Sequence, residues 1–316
     1  MKSQSNLQPF IGLGAKGSGL KIGFVGLGVM GKPMAKNLLK AGYSLVVCKH
    51  INPRPVSELV AAGAQEVTSP KQVAELSDIV ITMLPDSAEV EEAVLGENGL
   101  LRGARRGTVI IDMSSIAPST SRRLAADAEK KGVEMLDAPV SGGEVGAIQG
   151  TLAIMVGGKE ATFSKCLDIL RAMGKSIVRV GDAGAGQVVK LANQIIVALN
   201  IAALSEAFVL GVKAGVDPHV MYEAIRDGFA GSKVLDAKIP TILERNFKPG
   251  FRIRLHHKDL KNALETAREL KVPLPMTSLM QQVLCALINE GKGEADHSAI
   301  VNFSERLADI EVRSKA

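Results

Sequence analysis

A lysine set in an apolar run has the most chemistry to offer in this 316-residue chain. Lys190 lies in GQVVKLANQIIVALNIAALSEAFVLGVKAG (186–215), with Asn193 three positions on and therefore on the same face of a helix formed there. Lysine is seldom buried without a partner or a task. Desolvated beside a carbonyl, its pKa falls toward neutrality and it can act as a general acid. The pattern leaves a second placement open, with Lys190 reaching into solvent from the N-terminal end of the helix. Ser141, Gly142 and Gly143 follow the run VEMLDAPV (133–140). Small residues there leave backbone N–H groups free to form a nest for a carboxylate, and Ser141 adds a hydroxyl donor. A plain strand-to-helix turn would ask for the same residues.

The pattern GxGxxG occurs twice, at Gly12/Gly14/Gly17 and at Gly26/Gly28/Gly31. Its task is to turn a strand sharply into a helix so that backbone N–H groups approach a pyrophosphate at the helix N-terminus. Only the second copy has that context. KIGFV precedes it, and KPMAKNLLKAG follows with Met34, Leu38 and Leu39 at helical spacing, Pro33 in the first turn and Gly42 at the stop. The first copy reads as part of a flexible lead-in, residues 1–20. About 20 residues after the glycines of an NAD site an acid ordinarily binds the ribose hydroxyls. Here Lys49, His50 and Arg54 occupy that stretch with no acid among them. They could pair with a 2′-phosphate, which favours NADP over NAD; a solvated basic loop that tolerates either cofactor is the alternative.

Two other clusters carry less. His256, His257, Lys258 and Asp259 resemble a metal set only at first sight, because adjacent histidines diverge and no third ligand stands at standard spacing. Asp296, His297 and Ser298 are not a triad, since sequence neighbours seldom converge on one reacting atom. No metal is expected. Cys48, Cys166 and Cys285 are far apart and odd in number, which points to reduced thiols and a cytoplasmic enzyme.

The elements that would position these groups change character along the chain. From Lys21 to about Gly181, strand candidates (KIGFV, YSLVV, DIVITML, TVIIDM, VEMLDAPV, TLAIMVGG, SIVRV) alternate with amphipathic stretches. This predicts an α/β Rossmann-type domain over 21–182, with a mostly parallel sheet. After GDAGAGQ (181–187) the strand signals stop, and an all-α domain is expected over 183–316, built on one long helix. That helix is apolar on nearly every face, so burial is expected all round, together with packing into a homodimer or homotetramer. Its polar interruptions argue against a lipid-facing span, and residues 1–20 lack the apolar core of a secretory signal. The 3% aromatic content and the absence of Trp count against a base-stacking surface, so no nucleic-acid partner is expected. The net charge of +5, with no acid before Glu58, suits an anionic cofactor or substrate, or simply a mildly basic surface.

Together, GFVGLGVMG (23–31), TMLP (82–85), DMSSIAPST (112–120), DAPVSGG (137–143), GAGQVVKLANQ (184–194) and HHKDL (256–260) resemble the β-hydroxyacid dehydrogenase family from about Lys21 to the C-terminus. IIVALNIAALSEA (195–207), ERNFKPGFRI (244–253) and ADHSA (295–299) are similar to the branch that reduces tartronate semialdehyde to glycerate. The resemblance implies that Gly26, Leu27, Gly28, Val29, Met30 and Gly31 hold the pyrophosphate. Leu84, Pro85 and Ser115 would line the path to the nicotinamide, and Lys258 would contact the cofactor from the second domain. Ser141, Gly142 and Gly143 would bind the substrate carboxylate, Asn193 would fix the substrate oxygen, and Lys190 would be the acid/base. The partner so implied is a small aldehyde or hydroxy acid. Glyoxylate, succinic semialdehyde and 3-hydroxyisobutyrate chemistry stay open, as does a non-catalytic NADP-binding sensor or scaffold, against which the presence of Lys190 speaks. Lys49 or His50 departs from the Asp of NADH-using relatives. Arg254 and His257 add positive charge next to Lys258.

Overall fold

The computed structural model describes residues 19–48 and 52–314. Its chain divides into two compact units, residues Met1–Leu84, Ala88–Ser114 and Arg123–Ala183 in one, and Pro85–Ser87, Ser115–Arg122 and Gly184–Ala316 in the other.

Among the described residues the first unit has nine strands, β1 (Lys21–Val25), β2 (Ser44–Cys48), β3 (Gln65–Val67), β4 (Ile79–Thr82), β5 (Val109–Asp112), β6 (Glu134–Asp137), β7 (Val140–Ser141), β8 (Leu152–Gly157) and β9 (Gly174–Gly181). The sheet runs β3-β2-β1-β4-β5-β6 in parallel, so strand order reverses between β1 and β4, where a doubly wound sheet opens its ligand crevice. Ile22, Phe24, Ile81, Ile111 and Leu136 are buried in the sheet core, with Met34 and Leu38 of the helix Gly31–Lys40 packed in the same cluster. Burial of each such side chain is worth about 1.5–3 kcal/mol. Near-continuous apolar strands of this kind are what two covered faces require.

Two expectations need correction. VEMLDAPV is not one strand: it breaks at Ala138 and Pro139, and β7 then pairs antiparallel with β8. A proline cannot donate to a ladder, so the strand ends there. β3 gave no signal because it is three residues long, two of them exposed.

The second unit holds the helix Ala185–Lys213, 29 residues long. It packs against the helices Ile253–Leu270, Pro275–Leu287 and Val301–Ala308 around Ile201, Phe208, Leu260, Leu284 and Val301. By length and composition it would also suit a membrane span. Its buried residues, however, include Gln187, Lys190, Gln194 and Ser205. Burial all round is not observed: Ile196 is 61% and Leu210 72% exposed. The single chain covers one face of the helix, and hydrophobicity on every face said nothing about which face that would be.

Candidate active site

The glycine-rich loop stands at the end of β1, beside the point of strand reversal. Gly26 has φ +97°, and a Cβ there would drive into the Met83 carbonyl. A Cβ on Gly31 would strike the carbonyl of Gly26. These two glycines are demanded by the turn itself. Gly28 differs, because a Cβ there meets nothing within 4 Å. Its bare backbone faces open space at the start of a helix that has no acid in its first turn. Leu27 and Met30 are half-buried, whereas Val29 is 45% exposed. An open, acid-free helix N-terminus with room at Gly28 fits a pyrophosphate.

The next two strands contribute a tied pair of loops. Thr82 Oγ1 donates to Asp112 Oδ1 at 2.7 Å, Ser114 N donates to the same oxygen at 3.2 Å, and Leu84 N donates to Ser114 Oγ at 2.9 Å. Burial pushes the Asp112 carboxyl up to about 6, against its hydrogen bonds from Ser114 and Thr82. Lys49 and His50 lie outside the described residues. Arg54 begins the helix Arg54–Ala61 and is exposed, with Nε 3.5 Å from Glu58 Oε1. Glu58 also takes Lys36 at 2.8 Å and Lys32 at 3.3 Å. At the far side of the sheet, Ser141 ends β7, and Gly142 and Gly143 follow with φ +139° and +61°. Both conformations favour glycine, and both residues are exposed.

In the helical unit Lys190 is buried, 6% exposed, and not at the solvent. Its Nζ donates to Gln194 Oε1 at 3.0 Å, and Asn193 Nδ2 donates to the same oxygen at 2.9 Å. Gln194 Nε2 donates to Asp259 Oδ2 at 2.5 Å. A carboxylate only accepts, so Asp259 fixes the amide the right way round and turns its oxygen toward Lys190. Asp259 Oδ1 lies 3.0 Å from Lys258 Nζ. That ammonium also donates to the carbonyls of Ser115 at 2.5 Å and Pro85 at 3.0 Å, so it is held by two hydrogen bonds and one ion pair. Burial lowers the Lys190 pKa to about 8, with the Lys258 charge lowering it further and the Asp259 charge opposing. An ammonium in that range can give up its proton near neutral pH.

Of the expected residues, the structure brings Lys190 together with Asn193, and Lys258 together with Pro85 and Ser115. Of the residues that join these two groups, Gln194 was not singled out, and Asp259 was weighed only in a discounted metal set. Gln194 could have been, as a polar residue four positions after Lys190 in an apolar helix. Arg254 is paired with Glu294 at the surface, as Arg54 is with Glu58. Among the described residues no three His, Cys, Asp or Glu side chains gather as for a metal.

Comparison with known proteins places the chain among dehydrogenases. Residues 21–181 match the NAD binding domain of 6-phosphogluconate dehydrogenase, and residues 184–304 match the NAD-binding domain of NADP-dependent 3-hydroxyisobutyrate dehydrogenase. The chain is 46% identical to 2-hydroxy-3-oxopropionate reductase of Escherichia coli, over 92% of its own length and 98% of the relative's. It is 44% identical to 2-(hydroxymethyl)glutarate dehydrogenase of Eubacterium barkeri, over 93% and 97%. The solved structure of Mycobacterium tuberculosis 3-hydroxyisobutyrate dehydrogenase with L-serine superposes with a TM-score of 0.82 at 33% identity, covering 90% of this chain and 98% of that one.

Proposed function

The chain belongs to the β-hydroxyacid dehydrogenase family of NAD(P)-dependent oxidoreductases, and on that premise we propose that it reduces tartronate semialdehyde to glycerate with Lys190 as the proton donor. The observation that carries the reading is the buried ammonium of Lys190, aimed by Gln194 and lowered to about 8. The 46% identity to a reductase of that substrate supports the choice among short semialdehyde acids.

Gly26–Gly31 would hold the pyrophosphate on backbone N–H groups, and Leu84, Pro85 and Ser115 would border the nicotinamide. The chemistry such a cofactor would supply when bound is a hydride for the aldehyde carbon. Ser141, Gly142 and Gly143 take the substrate carboxylate, which leaves the aldehyde as the reacting end. Asn193 donates to the aldehyde oxygen. Lys190 gives that oxygen a proton as the C=O electron pair moves onto it, so the aldehyde leaves as an alcohol and Lys190 leaves neutral. Solvent then restores the Lys190 proton. Arg54, with Lys49 and His50, supports a preference for NADPH through the 2′-phosphate.

Steady-state reduction of tartronate semialdehyde, glyoxylate and succinic semialdehyde, each with NADH and NADPH, tests this. The expected result is the highest kcat/KM for tartronate semialdehyde with NADPH. A preference for NADH would make Lys49, His50 and Arg54 a solvated loop. Faster turnover of another aldehyde would replace the substrate.

A further inference from the structure

Two sequence fragments whose histidines suggested nothing apart, HHKDL (256–260) and ADHSA (295–299), meet inside the helical unit. His256 and His297 are both buried, their Nδ1 atoms 3.0 Å apart, and both rings stand edge-on to Phe251. On its other edge His256 Nε2 lies 3.0 Å from the backbone carbonyl of Gln194. A carbonyl only accepts, so Nε2 of His256 carries the hydrogen. A neutral His256 then has a bare Nδ1, and the hydrogen between the rings belongs to Nδ1 of His297. One arrangement of protons satisfies both contacts. A proton added to His256 would set two N–H groups face to face unless His297 moved its own hydrogen from Nδ1 to Nε2. Burial holds both imidazoles below their ordinary pKa, and so neutral. The charged groups that face them are Asp259, Lys190 and Lys238 around His256, and Lys238, Asp296 and Lys190 around His297.

The backbone on the far side is fixed as well. Asp296 Oδ2 accepts from Gly250 N and Phe251 N at 3.0 Å each. Asp296 Oδ1 accepts from Ser298 N and from Lys238 Nζ at 2.9 Å each. These bonds hold the turn bearing Phe251 and the segment bearing His297 in one place.

We propose that His256 and His297 are positioning residues for Lys190: the hydrogen bond from His297 locks His256 in the tautomer that grips the Gln194 carbonyl, and so fixes the helical turn from which Gln194 aims the Lys190 ammonium. Gln194 is thereby held at both ends, its carbonyl by His256 and its side chain by Asp259. The inference rests on the reading of Lys190 as the proton donor.

Three variants separate the two ideas. His297→Asn keeps an N–H where Nδ1 stood, His297→Leu keeps bulk without a donor, and Lys190→Ala removes the donor itself. The readouts are kcat, the KM for cofactor, the alkaline limb of the reduction pH profile, and imidazole 15N spectra. In His297→Leu, kcat is expected to fall by about tenfold or more with cofactor KM unchanged. The alkaline limb should move up as water enters beside Lys190, while His297→Asn stays near the parent. The parent's spectrum should show a fixed Nε2–H tautomer for His256 and Nδ1–H for His297. Averaged tautomers, or like behaviour of the Asn and Leu variants while Lys190→Ala is inactive, would overturn the positioning role alone. Near-normal turnover by Lys190→Ala would remove the reading of Lys190 and the proposal with it.

Discussion

Lys190 has a placement that works for chemistry and against stability. Its folded pKa of about 8 lies below the ordinary 10.5, because burial disfavours the charged form. Between those values the unfolded chain binds more protons than the folded one, so this group's contribution rises with pH across that window and its cost is complete below 8. Lys190→Met should therefore stabilise the fold at pH 7, on the order of 1–3 kcal/mol after allowance for the lost attraction to Asp259, while kcat falls by roughly 10²–10⁴-fold. Urea melts beside steady-state rates check both halves, and a destabilised variant would contradict the burial argument. As the acid in reduction Lys190 must be protonated, so the parent's rate should hold at neutral pH and decline as pH rises through about 8. Lys190 and Asn193 were legible in sequence because helical spacing puts them on one face. Asp259 was not, because it meets Gln194 across 65 residues and no local pattern reports such a pairing.

The elements that carry the cofactor residues were the plainest part of the sequence. The apolar runs at β1, β4 and β5 and the glycine loop agree at every level, from propensity to packing. The boundary errors have local causes: Pro139 cut a run that hydrophobicity joined, and β3 was too short and too exposed to register. The three loop glycines are alike in sequence and distinct in structure, which makes a prediction at this scale. Gly31→Ala should lower the melting temperature, because its Cβ meets the Gly26 carbonyl and the backbone must shift. Gly28→Ala should leave melting unchanged, since nothing lies within 4 Å, and should weaken NADPH binding severalfold in a fluorescence titration. Equal melting temperatures for the two variants would mean that the turn is not held as described.

At the scale of the whole molecule, the change of texture at residues 181–187 was readable, because strand periodicity simply stops there. The grouping of Pro85–Ser87 and Ser115–Arg122 with the helical unit was not readable, because both follow strands and look like ordinary strand-end loops. Lys258 is a physical reason for that grouping. Its ammonium reaches carbonyls 173 and 143 residues away in sequence and neutralises Asp259 beside them. Lys258→Met keeps the stem but leaves Asp259, 1% exposed, without that cation. Breaking a mostly buried pair in this way costs on the order of 3 kcal/mol, readable as a lower urea midpoint. The same change removes a positive charge that helps depress Lys190, so the alkaline limb of the reduction profile should move above 8 in the folded variant. Asp259→Asn, which removes a negative charge that raises the Lys190 pKa, should move that limb the other way. Opposite displacements by the two variants would show that one charge network spans these distant stretches of chain and sets the proton donor. Displacements of the same sign would mean that access of water, and not charge, controls Lys190.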